Sequence, residues 1–378
     1  MTGGSIPSVV VVCGDPGGAN AVAPVIRKLV NDKRVSVSPF AYFQAKAIWK
    51  NYSFPFQNLP DHTTRETTAL LLQDLGADLV FVGTSFNHLE FEKLFISAAK
   101  SLKIPSLALL DYWSNYTIRF SKRDADLMFL PDTIAIMDEF TKNEMIRDGF
   151  DPGNLVITGQ PAFDDLLSLR DSFTGEKKAQ IRTGFGCHPG DLLVIFASEP
   201  VFAGTPKKPE DPGYTRSGVI RSLISSLDNI QETTGRKIVL VIRPHPRESI
   251  EDFRDLPFDD RGTKTRIILS TEGRSREMLP AADLVIGMTT ILLMEACYLG
   301  CTVASLQPGL SGKDPLPSNR LGCSIPIYHE EDIIPILQTL LLDETKRSKL
   351  RTRCMSLIPK IESADRVARQ IYTMCGIL

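Results

Sequence analysis

Short apolar runs alternate with helical segments along the whole chain, and this alternation limits the possible fold more than any other feature. Each run is rich in Val, Ile and Leu and is bounded by turn residues, as at 237–242. Such runs are typical of strands buried on both faces of a parallel sheet, whose crossovers are usually helical. The sequence therefore predicts an α/β fold built from βαβ units. The predicted strands are 8–13, 35–42, 79–82, 106–110, 127–130 and 155–157, then 192–197, 237–242, 266–269, 284–286, 302–305 and 324–327.

The length of 378 residues exceeds what a single core usually supports, so we expect two domains. We predict a Rossmann-like domain over residues 1–165 and a second over 166–360. A last helix, 361–378, is expected to pack back on the first domain. Two doubly wound domains of this kind are expected to place their strand ends on a common central cleft.

Charge and cysteine content exclude several classes of protein. The 43 basic and 45 acidic residues give a net charge of −2, without the basic excess that nucleic-acid binding requires. Peripheral contact with a membrane stays open, but no run approaches the ~20 apolar residues of a membrane span. The seven cysteines form no CxxC pair and have no neighbours that complete a metal site, so we expect reduced thiols, no metal and a cytoplasmic protein.

His245 is the most informative residue of the second half. It lies between two prolines, directly after the predicted strand 237–242, and Arg243 precedes it. Ligands of open α/β sheets bind beyond the carboxyl ends of strands, and the prolines restrict the backbone there. We therefore predict that His245 and Arg243 contact a ligand phosphate, although a structural ion pair is as good an account of Arg243.

A hydroxyl pair follows another predicted strand of the same half. Thr289 and Thr290 come after 284–286 and open a predicted helix over 291–299. A helix start offers free N–H groups to an anion, so the pair is predicted to bind phosphate, while helix capping is a compatible structural role. Glu295 lies on an otherwise apolar face of that helix, where a ribose diol or a buried salt bridge would satisfy it.

Ser198 and Glu199 end the first predicted strand of the second domain. Their position places them with the phosphate-binding residues, and Glu199 is a candidate catalytic base. The proline-rich and glycine-rich segment 200–214 follows them, and loops of this length are often functional.

The first domain has a glycine-rich turn directly after its first strand. Gly14, Gly17 and Gly18 surround Asp15, and Asn20 follows in the predicted helix. Glycines let a ligand approach the backbone closely, so the turn is predicted to contact an acceptor or a phosphate, with Asp15 as a possible base. The pattern is neither GxGxxG nor a P-loop, and a tight turn without a ligand is the alternative.

Asp111, Tyr112 and Trp113 follow another apolar run of the first domain, 107–110. Aromatic rings beside polar groups are typical of a surface on which a sugar stacks, which would make these residues part of an acceptor site with Asp111 as a third candidate base. A mixed packing corner is an equally good interpretation.

Several of these segments resemble known enzymes. Residues 159–164 are similar to the G-x-P-x-x-D segment of CDP-glycerol glycerophosphotransferases, and His245-Pro246 resembles the HP motif of those enzymes and of bacterial sialyl- and polysialyltransferases. Residues 77–83, with Ile104-Pro105, resemble the corresponding stretch of non-hydrolysing UDP-N-acetylglucosamine 2-epimerases. All are members of the GT-B superfamily, which has two Rossmann-like domains and requires no metal.

The resemblance implies that the second domain binds a nucleotide sugar. In that case His245 would contact the donor phosphate, Thr289 and Thr290 would bind phosphate or an acidic sugar of the nucleotide, and Glu295 would hold ribose. The epimerase signatures HGD and HxEAG are replaced by Gly83-Thr84-Ser85 and Leu110-Asp111-Tyr112. We therefore expect group transfer rather than epimerisation.

The resulting expectation is a metal-independent, cofactor-free glycosyltransferase of polysaccharide or glycoconjugate biosynthesis, in which the first domain holds a glycan or lipid-linked acceptor. Asp15, Asp111 or Glu199 would deprotonate the acceptor hydroxyl. The alternatives are a nucleotide-sugar 2-epimerase or hydrolase on the same fold, and a non-catalytic nucleotide-sugar binding protein.

Overall fold

The computed structural model describes residues 6–52, 54–85, 87–123, 125–200, 212–245, 248–256, 263–357 and 362–378. The chain divides into two compact units. Unit 1 consists of Met1–Asp164 with Pro359–Leu378, and unit 2 consists of Asp165–Ile358. Residues 201–211 of the predicted functional loop, and Pro246 of the HP motif, lie outside the described residues.

Unit 1 is built on a sheet of parallel strands in the order β3-β2-β1-β4-β5-β6-β7. Its strands are β1 (Ser8–Cys13), β2 (Ser36–Ala41), β3 (Gln57–Asn58), β4 (Leu79–Val82), β5 (Ser106–Leu109), β6 (Thr133–Ile136) and β7 (Leu155–Ile157). Its first helices are α1 (Pro16–Asp32), α2 (Ala45–Trp49), α3 (Arg65–Asp74), α4 (Phe91–Leu102) and α5 (Glu139–Arg147). Strand β1 pairs with β2 on one side and β4 on the other, and its four consecutive valines are fully buried. The direction of winding therefore reverses between β1 and β4, which is where such sheets bind ligands.

Unit 2 repeats this arrangement with six strands in the order β10-β9-β8-β11-β12-β13. They are β8 (Leu192–Ala197), β9 (Ile238–Arg243), β10 (Arg266–Leu269), β11 (Leu284–Gly287), β12 (Val303–Leu306) and β13 (Ile325–Ile327). The helices are α6 (Asp164–Asp171), α7 (Gly175–Gly184), α8 (Arg216–Thr234), α9 (Ser275–Met278), α10 (Leu292–Tyr298), α11 (Pro317–Arg320), α12 (Ile333–Leu342) and α13 (Glu344–Leu357). Here the winding reverses between β8 and β11. The predicted α/β architecture of two Rossmann-like parallel sheets is confirmed.

The last helix, α14 (Ser363–Met374), belongs to unit 1 and packs on α1. Asp164 accepts hydrogen bonds from the Ser363 and Ala364 amides at 2.8 and 2.7 Å, which caps the helix start. Tyr372 donates to Asp32 at 2.8 Å. These contacts explain why the final segment of the sequence folds with the first unit.

The predicted strand at 127–130 is wrong. Leu127 has a positive φ of 47°, Met128 is 60% exposed, and the Phe129 amide donates to the Phe120 carbonyl in a turn. The sixth strand of unit 1 is instead Thr133–Ile136. Apolar composition alone therefore misplaced this strand, because a left-handed residue at its start prevents an extended run.

Candidate functional site

The reversal point of unit 2 brings Glu199 against Thr289. Ala197 of β8 pairs with Gly287 of β11, so the residues two positions beyond each meet at the carboxyl edge of the sheet. The Glu199 carboxylate accepts hydrogen bonds from the Thr289 amide and, at 2.9 Å, from its hydroxyl. Burial raises the pKa of Glu199. A carboxylate of the protein thus accepts the hydrogen bonds that the sequence predicts for the phosphate of a ligand.

Thr290 begins the turn that leads into α10. Its hydroxyl accepts from the Leu292 amide at 3.4 Å, a capping contact of the kind expected beside a phosphate role. Glu295, in the same helix, forms a two-pronged ion pair with Arg276, with distances of 2.8 and 2.7 Å. The salt bridge that the sequence left open as an alternative is therefore what the structure contains, and ribose binding by Glu295 stays a prediction.

A second carboxylate, Glu248, links the ends of β8 and β9. It accepts a hydrogen bond from the Ser198 hydroxyl at 3.1 Å and from the backbone amide of His245 at 2.8 Å. It also pairs with Arg216 at 2.9 Å, and its side chain is only 1% exposed. Glu248 thereby determines where Ser198 and the His245 loop lie. No sequence motif indicates this residue, and its only local signal is its position three residues after His245.

Arg243 holds a neighbouring loop in place. Its guanidinium donates to the Ser275 hydroxyl at 3.0 Å and to the carbonyls of Ser270, Glu272 and Gly273 at 3.0, 2.6 and 2.5 Å. Burial lowers its pKa. Four of its roughly five N–H donors are thus engaged inside the protein, which fits the structural alternative better than phosphate binding.

The glycine-rich turn of unit 1 is packed closely by its neighbours. A Cβ on Gly14 would meet the Tyr42 ring at 2.2 Å, and one on Gly17 would meet Asp111 Oδ2 at 2.0 Å. A Cβ on Gly18 would come within 3.0 Å of Cys13 Sγ. The glycines are therefore required by side chains and backbone of this unit, as the ligand-free alternative predicts.

Asp15 follows β1 and takes part in a hydrogen-bond network around the start of α1. Its amide donates to Ser85 Oγ at 3.1 Å, and its Oδ1 accepts from Asn87 Nδ2 at 2.7 Å. Asn20, on α1, accepts from the Tyr52 hydroxyl at 3.4 Å. Asp15 and Asn20 are half-buried, so both stay predicted site residues.

Asp111 is held by an arginine that the sequence analysis did not identify. Arg119 Nη1 lies 2.6 Å from Asp111 Oδ1, which also accepts from Thr84 Oγ1 at 3.0 Å. Both side chains of the ion pair are more than nine-tenths buried. One carboxylate oxygen is thereby neutralised, while Oδ2 faces Gly17.

Glu92 is a buried carboxylate that was also missed. It accepts hydrogen bonds from the Gly14 amide at 2.9 Å and from the hydroxyls of Ser85 and Tyr42. Burial raises its pKa to about 7, although these donors favour the charged form. At the start of α4 it resembles an ordinary N-terminal acid, so its sequence position gives no signal of burial.

The prediction that Trp113 forms part of a surface on which a sugar stacks is wrong. Trp113 is 1% exposed, donates to Asp138 Oδ2 at 2.7 Å and stacks on Phe163 with ring centroids 6.1 Å apart. It therefore belongs to the packing corner and cannot stack on a sugar. Tyr112 is half-buried with its ring edge against Trp113, and its acceptor role stays a prediction.

Two features are absent from the described residues. No group of three or more His, Cys, Asp or Glu side chains could hold a metal ion. In the same residues, no helix is both long enough and apolar enough to cross a membrane.

No protein-family model matches the chain, and no curated protein matches it either. Solved structures do. UDP-GlcNAc 2-epimerase from Methanocaldococcus jannaschii superposes with a TM-score of 0.67 at 15% identity, covering 97% of this chain and 99% of that one. The Neisseria meningitidis enzyme bound to UDP-GlcNAc gives 0.66 at 14% identity, covering 97% and 100%. Anabaena Alr3699/HepE in complex with UDP gives 0.67 at 14% identity, covering 98% and 100%.

These likenesses extend over nearly the whole chain but at low identity, so they show the fold alone. The fold is GT-B-like and consists of two Rossmann-like domains, as the sequence resemblance predicts. Two of these three structures are epimerases by name, and none of the three is named as a transferase.

Proposed function

We propose that the protein is an enzyme that acts on a UDP-sugar and needs no acceptor, as a 2-epimerase or a hydrolase of the nucleotide sugar. The observation that carries the proposal is the Glu199–Thr289 contact at the reversal point of unit 2. The Thr289 amide and hydroxyl already donate to a carboxylate oxygen of Glu199, and a phosphate oxygen accepts hydrogen bonds from the same kinds of donor. Similar folds that bind UDP and UDP-GlcNAc lend support.

In this proposal the nucleotide phosphate replaces the Glu199 carboxylate on Thr289, beside His245. Two anions do not share these donors, so the Glu199 carboxyl is released when the substrate binds. Burial raises the pKa of the Glu199 carboxyl, which makes it a candidate proton donor as well as a proton acceptor. Glu199 is thus the acid–base residue of unit 2, and Asp15 is the remaining candidate of unit 1.

Glycosyl transfer is the second candidate, because the residues that replace the epimerase signatures are engaged. Ser85 is hydrogen bonded to Glu92, and Asp111 is ion-paired with Arg119. Neither presents the free acid that the HGD and HxEAG signatures would supply. In that reaction the base would remove a proton from an acceptor hydroxyl, and not from water or from a carbon of the sugar.

Proton NMR in D₂O separates the candidates. The protein is incubated with UDP-GlcNAc, with and without an alcohol acceptor. An epimerase changes the sugar configuration and introduces deuterium at the carbon that exchanges its proton, and a hydrolase releases UDP and free sugar, both without an acceptor. UDP release that requires the acceptor would favour transfer. Failure of UDP, GDP and CMP alike to raise the melting temperature would contradict nucleotide binding.

A further inference from the structure

A cavity of about 800 Å³ lies on unit 2 between β13, α12 and α13. Its floor is apolar and includes Ile325 of the edge strand, Ile336 and Leu340 of α12, and Leu350 of α13. Cavities of ~300–1,000 Å³ with an apolar lining and few polar groups are typical of small-molecule sites. The proposed function uses none of these residues.

The rim of the cavity is basic. Lys346, Lys349 and Arg353 line it. Their spacing of three and four residues places them on one face of α13. All three are exposed, and within the described chain none forms an ion pair. Asp332 is the acidic residue of the lining, so the positive charges are in excess there.

The other basic residues of α13 behave differently. Arg347 lies 2.5 Å from Glu344, and Arg351 pairs with the same carboxylate. The helix therefore pairs two arginines with one carboxylate of its own and leaves three cations beside the cavity. An unpaired cationic rim above an apolar floor is complementary to a molecule with an anionic head and an apolar body.

We propose that this cavity binds a single molecule of an anionic amphiphile, a phosphate monoester with a linear or branched hydrocarbon chain. The phosphate lies among Lys346, Lys349 and Arg353, and the hydrocarbon covers Ile325, Ile336 and Leu340. The concave shape favours one inserted molecule over the flat surface of a bilayer. The site is separate from the reversal point of unit 2 and does not depend on the proposed enzyme activity.

Isothermal titration of the full-length protein with monomeric decyl phosphate tests this proposal, with inorganic phosphate and 1-decanol as the half-ligands. We expect saturable binding of one decyl phosphate and binding at least roughly tenfold weaker for each half-ligand, because both parts of the site are needed. Lys346→Gln/Lys349→Gln should weaken decyl phosphate by roughly tenfold or more through loss of charge-assisted bonds. Lys100→Gln, at an exposed lysine of α4, is the matched control and should bind as the wild type does.

A second variant tests the apolar floor. Thr339→Phe places a ring into the cavity from α12 and should abolish binding, with circular dichroism confirming that the protein remains folded. Decyl phosphate binding that neither variant changes would overturn the site, as would the absence of saturable binding. Binding to phosphatidylglycerol vesicles without binding to the monomer would also overturn it, because the surface would then serve a bilayer.

Discussion

The two units wind their sheets in the same order, yet the groups at their reversal points differ. In unit 1, Asp15, Glu92 and Asp111 surround the start of α1, with Arg119 as the basic partner of Asp111. In unit 2, Thr289 donates its amide and hydroxyl to Glu199, while the second carboxylate, Glu248, is paired with Arg216. An acidic surrounding repels a phosphate, whereas donors held by one exchangeable carboxylate can accept it. This difference supports the proposal that the nucleotide binds unit 2.

The largest effect is expected at the buried ion pair of unit 1. Arg119→Leu leaves the Asp111 carboxylate buried without its cation, and we expect the free energy of unfolding to fall by about 3–5 kcal/mol. Urea denaturation followed by circular dichroism measures the change. The double variant Arg119→Leu/Asp111→Leu should recover much of the loss, because no charge is then stranded. Arg123→Leu, at an exposed arginine, is the control, and an equal effect of both single variants would contradict the account.

The stability of unit 1 should depend on pH through Glu92. Its folded pKa of about 7 lies above the ordinary 4.5, so the protonated carboxyl is favoured by folding. The stabilisation is complete below pH ~4.5 and is lost as the pH rises to about 7, a change on the order of 3 kcal/mol. Urea midpoints at pH 5 and pH 8 should therefore differ more for the wild type than for Glu92→Gln. If the stability of the two proteins depends equally on pH, Glu92 is not the cause of the pH dependence.

In unit 2, Glu199→Gln separates binding from chemistry. The neutral amide removes the anion that competes with phosphate, so UDP affinity should stay the same or increase. Turnover of the nucleotide sugar should fall about a hundredfold, the lower range for loss of a general acid or base. Single-turnover kinetics and calorimetry provide the two readouts, with Glu277→Gln at an exposed position of α9 as the control. Unchanged turnover would exclude Glu199 as the acid–base residue.

His245→Ala should have a smaller effect. The Glu248 contact uses the backbone amide of residue 245, which alanine retains, so the loop should keep its position. Loss of one hydrogen bond to phosphate should weaken UDP binding by about tenfold. Calorimetry measures the affinity and thermal melting checks the fold. If UDP binds the variant as tightly as it binds the wild type, His245 has no part in the site.

The strands were readable from the sequence because they are buried on both faces. Burial in a sheet is the stable environment for such apolar runs, as the valines of β1 and the Ile-Val-Leu-Val-Ile run of β9 show. Residues 127–130 are equally apolar, but the left-handed Leu127 and exposed Met128 prevent a strand there. Apolar composition predicts a buried strand, and the prediction fails where the local backbone geometry does not allow one.

The hydrogen-bond and ion-pair partners of the side chains could not be predicted from the sequence. Glu92 bonds to Gly14, 78 residues away, and to Tyr42, 50 residues away. Arg119 reaches Asp111 across a turn that no motif signals. The sequence could thus indicate which residues follow strand ends, but the contacts between them depend on the spatial order of the strands.

The most direct test is hydrogen–deuterium exchange of the full-length protein with and without saturating UDP. We expect UDP to slow exchange of the backbone amides at 288–291 and of Arg243 and His245 in unit 2, where the phosphate replaces the Glu199 carboxylate. The exchangeable amides within 14–19 in unit 1 should keep their rates. Slowed exchange at 14–19 with unchanged rates at 288–291 would contradict the assignment of the nucleotide to unit 2.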